Sequence, residues 1–315
     1  MKFCISILFL LCFISCDKKN GDEKTITQSS KQYITVLGIA QDGGYPHIGC
    51  QKKCCEDFYN SKFKKKNVVA LGLVDKKNKQ KWLFEATPDM HTQLAELEQN
   101  HIKNSKIIDG VFLTHAHIGH YTGLMYFGRE AYGKKGISVF AMPKMKNFLI
   151  ENGPWNQLIN IENIQIKSLR KDSTIVLNDN LKVTPFLVPH RDEFSETVGY
   201  KIEGKNKSAL FIPDIDKWKK WGSSIIEEVK KVDYAFLDAT FLNQNEVKRA
   251  MSEVPHPFIE ETIHLFKNEI LATKNKVIFI HFNHTNPTLQ ENSIERSKIE
   301  KLGFNFASEG MNFEL

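Results

Sequence analysis

Short apolar runs recur along the chain, most of them closed by a polar or glycine-containing turn. Between them lie polar stretches whose apolar residues fall three and four positions apart. The runs predict strands and the spaced stretches predict helices. Strands are expected at 33–39, 68–74, 82–85, 107–113, 137–141, 164–169, 181–188, 198–202, 209–212, 234–237, 277–280 and 304–306. Helices are expected at 89–98, opened by Pro88, at 121–132, from Pro143 onward, and at 222–230, 257–270 and 290–300. The two element types alternate to the end, with no short repeat and no Pro/Gly-rich linker after residue 32. Residues 32–315 therefore read as a single layered α/β domain, with any site at the sheet edges.

The first residues break this pattern. Lys2 precedes an apolar stretch, Phe3 to Phe13, that is short for a membrane span but suits the apolar part of a secretory signal. Phe13-Ile14-Ser15-Cys16 resembles a bacterial lipobox, with Phe where Leu is usual. Residues 1–15 are expected to be a signal peptide and Cys16 the lipidated first residue, with 16–31 as a polar flexible tether. The expected product is an exported bacterial lipoprotein, held to a membrane in the periplasm or cell envelope by its lipid. Its partners would be that membrane and a small-molecule substrate.

The formal net charge of +6 comes from 43 basic against 37 acidic residues, mostly lysines scattered along the chain. The densest run, Lys62, Lys64, Lys65 and Lys66, lacks interleaved aromatics and any nucleic-acid reader motif, so it reads as a solvated loop. No nucleic-acid partner is expected.

The chemistry concentrates at strand ends. The apolar run 107–113 leads into Thr114-His115-Ala116-His117-Ile118-Gly119-His120. Neutral imidazole is the commonest metal ligand, and a turn can aim His115 and His117 at one ion. His190, Asp214, Asp238 and His281 each follow another apolar run, and His284 comes three residues later. One such residue alone reads as a turn cap, but the recurrence points to a metal centre. His91, His101 and His264 lie on expected helices or loops and read as structural.

The order His115-x-His117-x-x-His120, His190, Asp214, His281 resembles the metallo-β-lactamase superfamily over roughly residues 33–315. The resemblance implies a four-layer αββα sandwich with metals at the edge between two sheets. It implies that His115, His117 and His190 hold a first metal, that Asp214 bridges, and that His120 and His281 serve a second. The family carries Asp where this chain has Gly119. The second site thus loses a carboxylate, and Gly119→Asp is expected to raise its metal affinity. Ala40-Gln41-Asp42-Gly43-Gly44-Tyr45-Pro46-His47-Ile48-Gly49-Cys50, Glu85-Ala86-Thr87-Pro88-Asp89 and His281-Phe282-Asn283-His284-Thr285-Asn286-Pro287 resemble the coenzyme PQQ synthesis protein B family. That family lacks the His-x-His pair kept here, which suggests a branch with a more hydrolase-like site.

With Cys4 and Cys12 in the signal and Cys16 lipidated, Cys50, Cys54 and Cys55 remain. An odd number is a poor disulfide framework, and a metal cluster is the better reading. The superfamily's cyclic phosphodiesterases of phosphonate use carry a cysteine cluster at this place. The resemblance implies one structural Zn2+ on Cys50, Cys54, Cys55 and His284. A Cys50–Cys55 disulfide is the alternative for an oxidising compartment.

A divalent ion on such ligands makes a metal-activated water, which is hydrolytic chemistry. The expected cofactor is one or two Zn2+ at the active site, with Mn2+ or Fe2+ as alternatives. The expected activity is hydrolysis of phosphodiester or other small anionic ester substrates. Asp214 and Asp238 are catalytic candidates, Asp238 either as proton shuttle or as a group orienting a histidine. His256 is a candidate substrate contact or a packed turn residue. Arg191 either meets an anionic substrate or pairs with Asp192 or Glu193. Two other readings stay open: a metal-dependent oxidation like that of PQQ biosynthesis, and a metal-binding lipoprotein without catalysis.

Overall fold

The computed structural model describes residues 31–104, 106–246, 250 and 253–315. The expected leader, the Cys16 lipidation site and all but the last residue of the tether lie outside these residues. Among the described residues, no helix is long and apolar enough to cross a membrane.

Two seven-stranded sheets form the centre. The first contains β1 (Gln32–Gly38), β2 (Ala70–Asp75), β3 (Gln80–Phe84), β4 (Gly110–Phe112), β5 (Ile137–Ala141), β6 (Ile164–Ser168) and the C-terminal β14 (Asn312–Glu314), in the order β14-β1-β2-β3-β4-β5-β6. The second contains β7 (Ile175–Asn178), β8 (Leu181–Leu187), β9 (Val198–Glu203), β10 (Ser208–Ile212), β11 (Tyr234–Asp238), β12 (Val277–Ile280) and β13 (Asn305–Phe306), in the order β13-β12-β11-β10-β9-β8-β7.

The first sheet's strands are apolar on both faces because both faces are covered. Ile34, Val36, Leu71, Leu73, Trp82, Phe84 and Phe112 join the core between the sheets. Their neighbours Tyr33, Leu37, Ala70, Val74, Leu83 and Val111 join a separate core with Met90, Leu94, Leu124, Met145, Leu149 and Leu158 from the helical segments outside the sheet. On the second sheet, Ile225, Val229, Ile259 and Ile299 supply the outer helical layer. The architecture is thus the expected αββα sandwich. Aromatic rings join the sheets: Phe84 meets Tyr200 edge-on at 5.4 Å and Phe211 at 6.2 Å, and the Tyr200 hydroxyl donates to the Leu113 carbonyl across the gap.

One expectation needs correction. The stretch 121–132 is not one helix: a short helix, Ile118–Tyr121, gives way to a 3-10 segment, Thr122–Phe127. Its backbone presses on the strand end before it, where a Cβ at Gly123 would lie 2.1 Å from the Thr87 carbonyl oxygen. The lysine run lies in an exposed loop as expected, where Lys62 pairs with Asp57 at 2.9 Å, Lys66 with Glu291 at 3.2 Å and Lys65 with Asp89.

Asp75, fully buried at the end of β2, ties the far edge of the sandwich together. Its Oδ2 accepts from Gln32 at 2.9 Å, Asn78 at 2.8 Å and, from β7 of the other sheet, Asn178 at 3.0 Å. Burial pushes its carboxyl pKa up, but these hydrogen bonds outweigh that and hold it below the usual value. A lowered carboxyl pKa means stability present at neutral pH and lost as pH falls through the folded-state pKa. Asp75→Ala is expected to cost about 1–3 kcal/mol at pH 7 by stripping three amides of an acceptor. In urea titrations the difference from wild type should shrink on acidification; a constant difference would argue against this account.

Candidate metal centre

Strands β10, β11 and β12 run parallel, as do β3, β4, β5 and β6. Parallel strands present their C-terminal ends at one edge. The loops that leave them carry Glu85 after β3, His115 after β4, Asp214 after β10 and His281 after β12, while Asp238 ends β11. Glu85 and His281 are held at φ of 80° and 67°, left-handed values rare for residues with a side chain. Both are fully buried, so the surrounding packing imposes a strained backbone at the site's edge.

The loop after β4 is pinned by Ala116, whose N–H donates to the Ser195 hydroxyl at 2.8 Å. His117 stands just before the helix Ile118–Tyr121 with its side chain free of any capping bond, and that single turn swings His120 back toward the sheet. His115, His117, His190 and Asp214 each offer one ligand atom, all within 4.8 Å of one another. His115 Nε2 lies 2.8 Å from His117 Nδ1 and 3.4 Å from Asp214 Oδ2, and His190 Nε2 lies 3.2 Å from Asp214 Oδ1. A second set, Asp42, His120, Asp214 and His281, meets the same spacing. A third joins Asp214, Asp238, His256 and His281. Asp214 belongs to all three.

The donor chemistry fits a divalent cation. Both ring nitrogens of His190, Nε2 of His281 and Oδ1 of Asp214 are buried without a hydrogen-bond partner. Such atoms are costly to bury unless something binds them. Burial, together with the neighbouring His120, holds the His115 imidazole well below its usual pKa, and burial lowers His117 as well, which keeps their nitrogens free as donors. Burial pushes Asp214 up, yet the charges of His190, His256 and His281 hold its carboxyl well below the usual range.

Other buried groups steer these rings. Thr114 Oγ1 donates to Glu85 at 2.6 Å and lies 2.9 Å from His115 Nδ1. Glu85 Oε1 lies 3.2 Å from His120 Nδ1. Asp238, fully buried, accepts from the Ile215 N–H and from both the N–H and hydroxyl of Thr240, and holds His256 Nδ1 at 2.9 Å. Thr240 Oγ1 lies 2.9 Å from His281 Nδ1. His256 packs near the rings of His190 and His281. Arg191 is exposed on the rim, and its charge acts on His117 and on Glu193, whose carboxylate lies 3.3 Å from His117 Nε2. His91 and His264 lie exposed on helices, and His101 bonds the Tyr33 hydroxyl at 2.9 Å.

A separate cluster joins Cys50, Cys54, Cys55 and His284, again within 4.8 Å. No disulfide links the three thiols, and the Cys50 and Cys54 sulfurs lie 3.9 Å apart, against about 2.05 Å for a bond. The His284 ring stacks on His47 at 4.2 Å, and burial with the charges of His47 and Lys52 lowers its pKa to about 4. It is therefore a neutral donor at pH 7.

The structure overturns the expectation for Gly119. A Cβ there would fall 2.5 Å from Asp42 Oδ1 and 2.6 Å from the Asp42 Cα, so a side chain at 119 collides with backbone. Gly119→Asp would displace Asp42 rather than add a ligand. Asp42 and Glu85 are the site residues to which sequence reasoning gave no role. Both lie in the segments 40–50 and 85–89 that carried the narrower family resemblance, which was the available signal.

Known proteins share this fold. The chain is 26% identical over 305 residues to coenzyme PQQ synthesis protein B of Gluconobacter oxydans, spanning 90% of this chain and 98% of that one. It is 26% identical over 315 residues to the same protein of Nitrosococcus oceani, spanning 90% and 99%. Zn(2+)-bound PqqB from Methylobacterium extorquens shares the fold with a TM-score of 0.73 at 21% identity, over 90% of this chain and all of that one. A diphosphatase from the PhnP family shares it with a TM-score of 0.63 at 21% identity, over 90% and 97%. The family model described as beta-lactamase superfamily domain matches residues 80–282, the span that carries every histidine and carboxylate of the strand-end cluster except Asp42. On that match, this chain belongs to the beta-lactamase superfamily.

Proposed function

We infer that this chain is a metal-dependent hydrolase acting on phosphodiester or other small anionic ester substrates. The observation that carries the reading is the sharing of Asp214 between two sets of donors, one built on His115, His117 and His190 and the other on His120 and His281. These residues would hold one or two divalent ions, zinc by preference given their nitrogen-rich donors. A divalent ion so held lowers the pKa of a water toward neutrality and polarises an ester or phosphoryl oxygen. The chain's own residues do the remaining work. Thr114 and Thr240 fix the ring orientations of His115 and His281, and the Glu85 carboxylate lies beside His120 at 3.2 Å. Asp238 has its oxygens engaged by four donors and no exposure, so it acts as a positioning residue for His256. Arg191, exposed beside His190, is placed to meet an anionic substrate. The Cys50, Cys54, Cys55 and His284 cluster, with three sulfurs and a neutral imidazole, would hold a structural zinc.

Support comes from the PhnP-family diphosphatase that shares the fold. The expected result is turnover of bis-p-nitrophenyl phosphate with Zn2+ or Mn2+, reduced by about 10³-fold or more in His117→Ala, a loss of about 4 kcal/mol of transition-state stabilisation. The similarity to coenzyme PQQ synthesis protein B favours a second reading, a metal-dependent oxidation. Oxygen consumption dependent on Fe2+, with no ester cleaved, would replace the hydrolase reading by that one.

A further inference from the structure

The resemblance to the metallo-β-lactamase superfamily implies a carboxylate at 119, where this chain has glycine. We propose that Asp42, from the turn after β1, supplies the carboxylate of the second metal site in place of residue 119, and that Gly119 is the vacancy that admits it.

Three observations converge. First, Asp42 Oδ1 lies 2.9 Å from His120 Nε2 and 3.6 Å from His281 Nε2. The same two nitrogens lie 3.6 and 3.9 Å from Asp214 Oδ2. Two imidazoles and two carboxylates thus converge on one small space, a set that neutralises a divalent ion. Second, the His281 ring is aimed from behind. His281 Nδ1 meets Thr240, which leaves its Nε2 for the ion, while His120 Nδ1 lies 3.2 Å from the Glu85 carboxylate without a hydrogen bond. His281 Nε2 is buried and has no hydrogen-bond partner, so a second binding group is missing from its environment. Third, the carboxylate stands where a side chain at 119 would begin, 2.5 Å from the ideal Cβ position.

Backbone bonds set the turn in place. The Gln41 N–H donates to the Phe282 carbonyl and the Phe282 N–H to the Ile39 carbonyl, each at 2.8 Å. Asp42 is therefore stitched to the segment that carries His281. Gly44, at φ +68°, closes the turn with its N–H on the Gln41 carbonyl at 2.7 Å. A loop that reached the site by chance would not be bonded to one of the site's own ligand segments.

The alternative is that Asp42 and His120 form a buried ion pair that closes the centre, leaving one ion at His115, His117, His190 and Asp214. The two accounts differ in metal count. The inference rests on that first set being a metal site, so the test reads metal rather than turnover. The full chain is dialysed against buffered Zn2+, and bound zinc is counted by mass spectrometry; Co2+ replacement then gives a visible spectrum for each site. Wild type is expected to hold two ions at the strand-end centre besides the ion of the cysteine cluster. Asp42→Asn, which keeps size and removes charge, is expected to lose one ion and its Co2+ band, with a rise of about 100-fold or more in the weaker dissociation constant. Gly119→Ala should reproduce that loss by pushing the Asp42 backbone aside. Both variants are checked for fold by circular dichroism, and Asp42→Asn decides if Gly119→Ala fails to fold. A centre that holds one ion in wild type, or two in Asp42→Asn with unchanged affinity, overturns the proposal. A centre that holds none in wild type overturns the first-site reading as well. Failure to cleave any ester, with the counts as expected, leaves this proposal standing and removes only the hydrolase reading.

Discussion

Asp214→Asn is expected to abolish catalysis, lowering kcat/KM by about 10³-fold or more, equivalent to about 4 kcal/mol or more. No other side chain reaches all three donor sets: Asp214 lies 3.4 Å from His115, 3.2 Å from His190, 3.6 Å from His120 and 3.1 Å from His256. An amide has the carboxylate's shape without its charge. The substitution therefore leaves five imidazoles around a neutral group and removes the one carboxylate common to both proposed ion positions. Metal affinity should fall at both positions together. Zinc that binds the folded chain alone stabilises it by mass action. The zinc-dependent rise in Tm should consequently shrink in Asp214→Asn, while the zinc-free Tm provides the control for folding. An Asp214→Asn protein that keeps two ions at the centre and turns over normally would contradict the shared role.

His115, His117, His190, Asp214 and His281 could be recognised from the chain alone, because each follows an apolar run and parallel strands must deliver their ends to one edge. Such a signal is local: a strand, then a polar residue where the strand stops. Asp42 carries no such mark. It sits in Gln41-Asp42-Gly43-Gly44, which reads as ordinary turn chemistry, and the His120 it meets is 78 positions away. The same locality limits the fold. The apolar runs of β1 to β6 and β8 to β12 are legible, since burial on both faces or one face sets their pattern. Strands β7 and β14 are not, for Ile175–Asn178 and Asn312–Glu314 are short, part polar and defined by partners, β14 pairing with β1 through Tyr33 and Glu314. The segment after His120 has helical spacing at Tyr121, Leu124 and Met125, yet its close approach to the backbone at Thr87 decided otherwise.

Cys50→Ser is expected to remove the zinc that resists chelation and to lower Tm by roughly 6–12 °C, about 3–5 kcal/mol for a chain of this size. Cys50 is the suitable thiol to test: Cys55 is fully buried in the core, so its replacement would destabilise for packing reasons alone. Few main-chain bonds hold the loop between Gln41 and Cys55. Gln41 bonds to Phe282 and Tyr45 pairs with Lys66, but from His47 to Cys55 the main chain is held by local turns, Cys50 to His47 and Cys55 to Lys52, with the Tyr45 hydroxyl reaching the Cys54 carbonyl at 2.7 Å. Four ligand bonds to zinc would add fixed points to that stretch. Burial and the neighbouring sulfurs of Cys55 and Cys50 raise the Cys54 thiol to about 12, so it needs a cation to ionise at neutral pH. A mass spectrum showing a Cys50–Cys55 disulfide in the purified chain, with no zinc, would replace the metal by a covalent staple.

Two short spans of chain carry ligand groups for both clusters. Residues 42–55 run from Asp42 to the three cysteines, and residues 281–284 run from His281 to His284. Were both clusters to hold ions as proposed, these shared spans would link their binding, and whatever factor one ion applies to the affinity of the other would hold in reverse. Removing an ion from the sulfur ligands would then be expected to change how tightly oxygen and nitrogen hold the one on the other side of the same turn.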